Sequence, residues 1–111
     1  MGKREALDIL PGTLDLLILK ALVRGKMHGY GIAHMLKVTS EDVLDVGESS
    51  LYPALQRLLL NGWVTAEWGA SENNRRARYY TLTPAGRKQL IAERADFDRV
   101  VAAIQRVLQT A

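Results

Sequence analysis

Cysteine is absent from this chain of 111 residues. That excludes disulfides, thiolate nucleophiles and cysteine-based metal sites, and it suits a reducing cytoplasm, the expected location. Long apolar runs are missing too. The longest, TLDLLILKALV over residues 13–23, is broken by Asp15 and Lys20 and falls far short of the ~20 residues a membrane span needs. No membrane partner is expected. A secretory leader is not expected either, because Glu5 and Asp8 stand where an unbroken apolar segment would have to be. Histidine is scarce: His28 and His34 are six residues apart, off a common helical face and without a carboxylate cluster, so neither a metal nor another cofactor is expected. No nucleophile or pair of acids stands at workable spacing, which argues against an enzyme.

What is present fits one compact core. With 48% hydrophobic residues, a chain of this length buries roughly two thirds of its unfolded surface. The net charge of +3 is modest, and its distribution says more than its size. Residues 71–88 carry Arg75, Arg76, Arg78, Arg87 and Lys88 against Glu72 alone, whereas every charged residue of 41–48 is an acid: Glu41, Asp42, Asp45 and Glu48. Positive charge is gathered in one segment, as a polyanion partner would require.

The periodicity predicts a first helix capped by Thr13, with Asp15 in its first turn, running to Val23 or Arg24 and stopped by Gly25. Leu14, Leu17, Ile18, Ala21 and Leu22 form one stripe, and Leu16, Leu19 and Val23 form a second beside it. Two apolar faces ask for two surfaces to cover them, one in the same domain and one on a partner helix. A second helix is predicted over 28–38, started by His28, with Gly29 and Gly31 marking close backbone packing. The segment VLDV at 43–46 is a candidate strand. A third helix follows, SSLYPALQRLLL, capped by Ser49 or Ser50, with Pro53 in its first turn and Asn61 and Gly62 closing it.

After Gly62 the period changes to two. WVTAEW and RYYTLT alternate, and GASENNRRA between them is turn chemistry, which predicts a β-hairpin with a long basic tip. Tyr79 and Tyr80 then face opposite sides, one toward the core and one near phosphate. Trp63 is expected in the core and Trp68 half-exposed. Thr83 and Pro84 open a last helix on which Leu90, Phe97, Val101, Ile104 and Leu108 recur in a seam that wants another helix.

Three helices and then a hairpin is the order of a winged helix-turn-helix, in which the third helix enters the DNA major groove and the hairpin lies on the backbone. The expected fold is therefore mostly α with a small β-hairpin: a winged-helix domain over 1–83 and a C-terminal dimerisation helix over 84–111. On the third helix Leu51, Ala54, Leu55 and Leu58 point one way, while Ser49, Ser50, Pro53, Gln56 and Arg57 point the other and Tyr52 sits on the flank. Gln and Arg can read adenine and guanine edges, and hydroxyls and helix N-terminal amides hold phosphates.

The segments HGYGI, SSLYPALQRL, NGWV and RRARYYTLTPAGRKQL, in this order and spacing, resemble the signature segments of PadR-type transcriptional regulators, in particular the compact acidobacterial-type subgroup. The resemblance covers nearly the whole chain from Pro11 onward. It implies a homodimeric winged-helix repressor whose C-terminal helix packs against the first helix of its partner. It also implies a recognition helix carrying Ser49, Ser50, Tyr52, Pro53, Gln56 and Arg57, and a wing carrying Arg75, Arg76 and Arg78. The implied partners are double-stranded DNA, as a palindromic operator, and a second copy of the chain. The chain departs from the family pattern in having Ser49-Ser50 for a common Gly-Thr pair, and Leu59-Leu60 for a common polar pair. Some relatives bind planar molecules at the dimer centre, but the final helix here offers Phe97 as its single aromatic, and any small-molecule effector is unknown. The competing reading is a winged-helix protein-interaction module without specific DNA binding, whose arginines merely solvate the surface.

Overall fold

The computed structural model describes residues 12–111, so Glu5 and Asp8 lie outside the described residues. Helix α1 spans Thr13–Ala21 and is followed by a 3₁₀ turn over Leu22–Arg24. Strand β1 is Met27–His28, α2 Gly29–Thr39, α3 Glu48–Leu60, β2 Val64–Ala70, β3 Arg76–Leu82 and α4 Pro84–Leu108. The strands form an antiparallel sheet in the order β1-β3-β2. This is the winged-helix arrangement. Ile18, Leu19, Leu22, Ile32, Leu51, Leu55, Leu58 and Val64 are fully buried where the three helices meet the sheet, each worth roughly 1.5–3 kcal/mol of transfer free energy.

Helix α1 starts one residue earlier than the sequence suggests. Gly12, not Thr13, occupies the cap position, with φ 87°, a left-handed backbone that threonine avoids. Gly25 ends the element as expected, although its last turn tightens to 3₁₀. The second apolar stripe of α1 is already largely covered within one copy. Leu19 is fully buried and Leu16 only 8% exposed, while half-buried Val23 packs against the same core. The reason is that α4 folds back along α1 of its own chain, leaving Leu16 on the floor of a groove shared with Phe97, Val101 and Ile104.

His28 starts α2 as its cap: its backbone is extended and Nδ1 accepts the Gly31 N–H at 3.0 Å. Close packing is confined to Gly29, where an added Cβ would come within 2.8 Å of the Tyr52 hydroxyl. At Gly31 it would meet only ordinary contacts. Residues 43–46 form no strand. Ser40 holds this segment locally, its Oγ accepting the Leu44 N–H at 2.9 Å, and the third strand is instead β1, paired through Met27–Tyr80 and His28–Tyr79.

Helix α3 is capped by Gly47 rather than by a serine, with Glu48 in the first turn at the positive end of the helix dipole. Pro53 is consequently the sixth helical residue, in the second turn. Its missing N–H leaves the Ser49 carbonyl free, which is tolerated because Ser49 is exposed to water. At the other end the Gly62 N–H (φ 75°) donates to Leu59 and the Trp63 N–H to Leu58, both at 3.0 Å, a Schellman closure.

The hairpin is longer in strand and shorter in tip than its composition suggests. Pairing continues through Gly69–Ala77 and Ala70–Arg76, leaving residues 71–75 as the turn. That turn is closed by the Ser71 N–H donating to the Arg75 carbonyl at 2.7 Å, with Asn74 left-handed at φ 59°. Tyr80 is buried, and half-buried Tyr79 on the opposite face donates its hydroxyl to the Ala70 carbonyl at 2.8 Å.

The start of α4 is stitched to the end of α3. The Thr83 hydroxyl donates to the Gly62 carbonyl at 2.8 Å and accepts the Gly86 N–H at 3.0 Å, and the Thr83 N–H donates to the Trp63 carbonyl at 3.1 Å. Gly86 is the one buried residue of α4, and any side chain there would overlap the Trp63 carbonyl.

Candidate nucleic-acid interface

Four leucine and alanine side chains fix which way α3 faces. Leu51, Ala54, Leu55 and Leu58 are buried, so the helical repeat turns Ser49, Ser50, Pro53 and Gln56 outward, and all four are exposed. Leu60 is also on the outside, 77% exposed, whereas Leu59 packs against the core. The outer face is therefore polar in its first turns and apolar at its end.

Arg57 is exposed but engaged. Its Nη2 donates to Asp15 Oδ1 at 2.8 Å and its Nε to Oδ2 at 3.4 Å, a two-pronged ion pair joining α3 to α1. That hydrogen bond raises the guanidinium above its ordinary range. Asp15 was read from the sequence only as a helix-dipole residue. Its partner is 42 residues away, a separation for which local pattern carries no signal.

Tyr52 leaves the exposed face and leans toward the first turn of α2, its ring over Gly29. Desolvation, and then the Glu48 carboxylate and Tyr80, push its hydroxyl above the usual tyrosine range. Tyr52 forms one wall of a cleft of about 660 Å³ between the helices and the hairpin. The other wall is the hairpin, with Trp68, Arg75, Arg76, Arg78 and Tyr80, and the floor is His28, Gly29 and Tyr30.

The structure thus brings Tyr52 together with all three hairpin arginines, and places Ser49, Ser50, Pro53 and Gln56 on the adjoining helix face. Arg75 belongs to the turn, but Arg76 and Arg78 are strand residues. Sequence reasoning missed Trp68 as a member of this surface. The signal was available: Trp68 is paired with Arg78 in the ladder, and period two then puts Arg76 and Tyr80 on the same face. It also missed Tyr30, 75% exposed and stacked on His34 with ring centroids 6.1 Å apart. The chemistry of this surface suits a polyanion, with three guanidinium groups and the Tyr52 hydroxyl against the single carboxylate of Glu72 in the turn. Among the described residues no group of His, Asp and Glu side chains converges to hold a metal, and no helix is long and apolar enough to cross a membrane.

Comparison with known proteins places this geometry. Residues 18–92 match the transcriptional regulator PadR-like family. A transcriptional regulator from Clostridium thermocellum superimposes with a TM-score of 0.81 at 28% identity, covering 90% of this chain and 97% of that one. A PadR family transcriptional regulator from Eggerthella lenta gives 0.76 at 26% identity over 90% and 85% of the two chains. A PadR-like transcriptional regulator from Bacillus cereus gives 0.74 at 25% identity over 92% and 97%.

Proposed function

The chain belongs to the PadR-like family of transcriptional regulators, and from that premise we propose that this DNA-binding regulator is a homodimeric repressor of a palindromic operator. Helix α3 enters the major groove and the hairpin follows the backbone. The observation that carries the reading is the continuous surface formed by the outer face of α3 and the arginine-lined cleft beside it. Gln56, free on that face, reads a base edge; Ser49, Ser50 and the Tyr52 hydroxyl hold phosphates and set the register. The wing arginines add affinity without selecting sequence.

Residues 84–111 pair the two copies. Helix α4 is about 37 Å long and leaves Phe97, Val100, Ile104, Val107 and Leu108 exposed, an apolar stripe of the kind that marks an interaction surface. Half-buried Val101 and Leu90 lie along the same helix. A dimer sitting on an operator excludes polymerase from overlapping sequence, which is repression in its simplest physical form.

Binding-site selection on the full chain, followed by titration of the selected duplex and of a scrambled duplex at several salt concentrations, tests this. The expected result is a two-fold symmetric site and a steep fall of affinity with salt for both duplexes. Equal affinity for both at every salt concentration would remove the claim of sequence reading, and absence of binding would favour the protein-interaction module.

A further inference from the structure

One face of the hairpin sets arginines beside aromatic rings. Ala66, Trp68 and Ala70 of β2 stand opposite Tyr80, Arg78 and Arg76 of β3, and alternation along a strand puts all six on one side of the sheet. The Arg76 guanidinium lies 4.6 Å from the centroid of the Trp68 ring, and the Arg78 guanidinium 5.9 Å from that of Tyr80. Going from the core toward the tip, Tyr80 comes first, then the directly paired Arg78 and Trp68, then Arg76. All four line the cleft facing Tyr52 of α3.

The two rings on this face differ. Tyr80 is 5% exposed and belongs to the core, so its ring is fixed by packing. Trp68 is 57% exposed. A tryptophan that remains this open on a hairpin surface does little for the core. Its contact is with Arg76, the diagonal cross-strand neighbour, within reach of a long side chain. Among the described residues Arg76 forms no ion pair with an acid, unlike Arg57, Arg94 and Arg99. Its charge therefore remains available to an incoming anion while its plane is held by the indole.

We propose that Trp68 is a positioning residue for DNA binding: it stacks on Arg76 and fixes that guanidinium in the cleft before DNA arrives. An arginine tethered only by its own chain loses rotamer freedom when it meets phosphate, and that loss subtracts from affinity. One already held against a ring has lost most of it beforehand, and the ring leaves the guanidinium edge free to donate hydrogen bonds. The proposal rests on the reading of the wing as a backbone-contacting element.

The test is a double-mutant cycle on the full chain with Trp68→Ala, Arg76→Ala and the double variant, each titrated with the selected operator at several salt concentrations, and with Trp68→Phe as the conservative variant. Arg76→Ala is expected to weaken binding and to flatten the salt dependence by roughly one unit per protomer. Trp68→Ala should weaken binding roughly threefold per protomer with the salt slope unchanged, because the charge is still present and only its placement is lost. Trp68→Phe should recover much of the loss, and Trp68→Ala should cost nothing further in the Arg76→Ala background. If Arg76→Ala leaves affinity and slope untouched, the wing reading fails and the positioning role with it. If Arg76→Ala behaves as expected but Trp68→Ala does not weaken binding, or weakens it equally in both backgrounds, Trp68 does not act through Arg76 and the proposal is overturned. Equal loss in both backgrounds would identify the ring as a DNA contact itself, as in minor-groove insertion.

Discussion

Helices α3 and α4 are both amphipathic, and the chain completes only one of them. In α3 the apolar side is consumed within the protomer by Leu51, Ala54, Leu55 and Leu58, all buried, and what remains outside is mostly polar, serine, glutamine and arginine with Leu60 as the apolar exception near its end. In α4 only Gly86 is buried. Ile91, Phe97, Val100, Ile104, Val107 and Leu108 all stay exposed. A helix with its apolar face satisfied offers polar groups to a polar ligand; a helix with its apolar face open asks for another apolar surface. On the proposed function, the contrast separates reading from pairing along the sequence.

The strongest way to break the contrast is to charge the open face. Val101→Asp with Ile104→Asp places two carboxylates where apolar contact with a second copy is expected, and should weaken dimerisation by more than about 3 kcal/mol. Light scattering on the purified double variant should report monomer with helical content retained. A folded dimer would mean that α4 pairs through other residues.

Next in size is the joint between the helices. Gly86→Ala forces a methyl group into the Trp63 carbonyl, and because the obstacle is backbone it cannot swing aside. We expect a loss of roughly 2–3 kcal/mol in chemical denaturation. A change below about 0.5 kcal/mol would show that α4 docks less rigidly on the end of α3 than the Thr83 hydrogen bonds imply.

Two neighbours on α3 sharpen the comparison further. Gln56→Ala should cost about 1–2 kcal/mol on the selected operator and much less on random DNA, measured by titration at one salt concentration. Arg57→Ala should behave differently, since Arg57 is bound to Asp15. It should lower folding stability by roughly 0.5–1 kcal/mol, the pair being more than half exposed on the arginine side and screened accordingly. The selected sequence should stay the same. A changed base preference in Arg57→Ala would mean that the arginine leaves Asp15 on binding DNA.

These predictions also mark where the sequence spoke clearly. The order of elements, the outward face of α3 and the hairpin were readable because each rests on local periodicity, 3.6 for α3 and two for β2 and β3. The closure at Gly62 and the cap at Thr83 were readable because single residue types carry them. The failures share a cause. The neighbours of Leu16 on α4 could not be read locally, because Phe97 lies some eighty residues further along the chain. Likewise Asp15 gave no hint of Arg57, and Met27–His28 none of a strand, since two residues carry no period and pairing with β3 alone defines them. The serine caps of α3 were displaced by Gly47, whose extended backbone (φ −83°, ψ 164°) serves the same end without a side-chain bond.

The Thr83 stitch has a geometric consequence for the operator. Since α4 begins hydrogen-bonded to the residues that close α3, it cannot pivot without dragging the end of α3 with it. In a dimer paired along α4, the distance and angle between the two recognition helices are then dictated by where along α4 the copies meet. One residue inserted between Arg94 and Phe97 would rotate everything beyond it by about 100° and shift it by about 1.5 Å. The helix that never approaches a base would in this way act as the ruler for the spacing between half-sites.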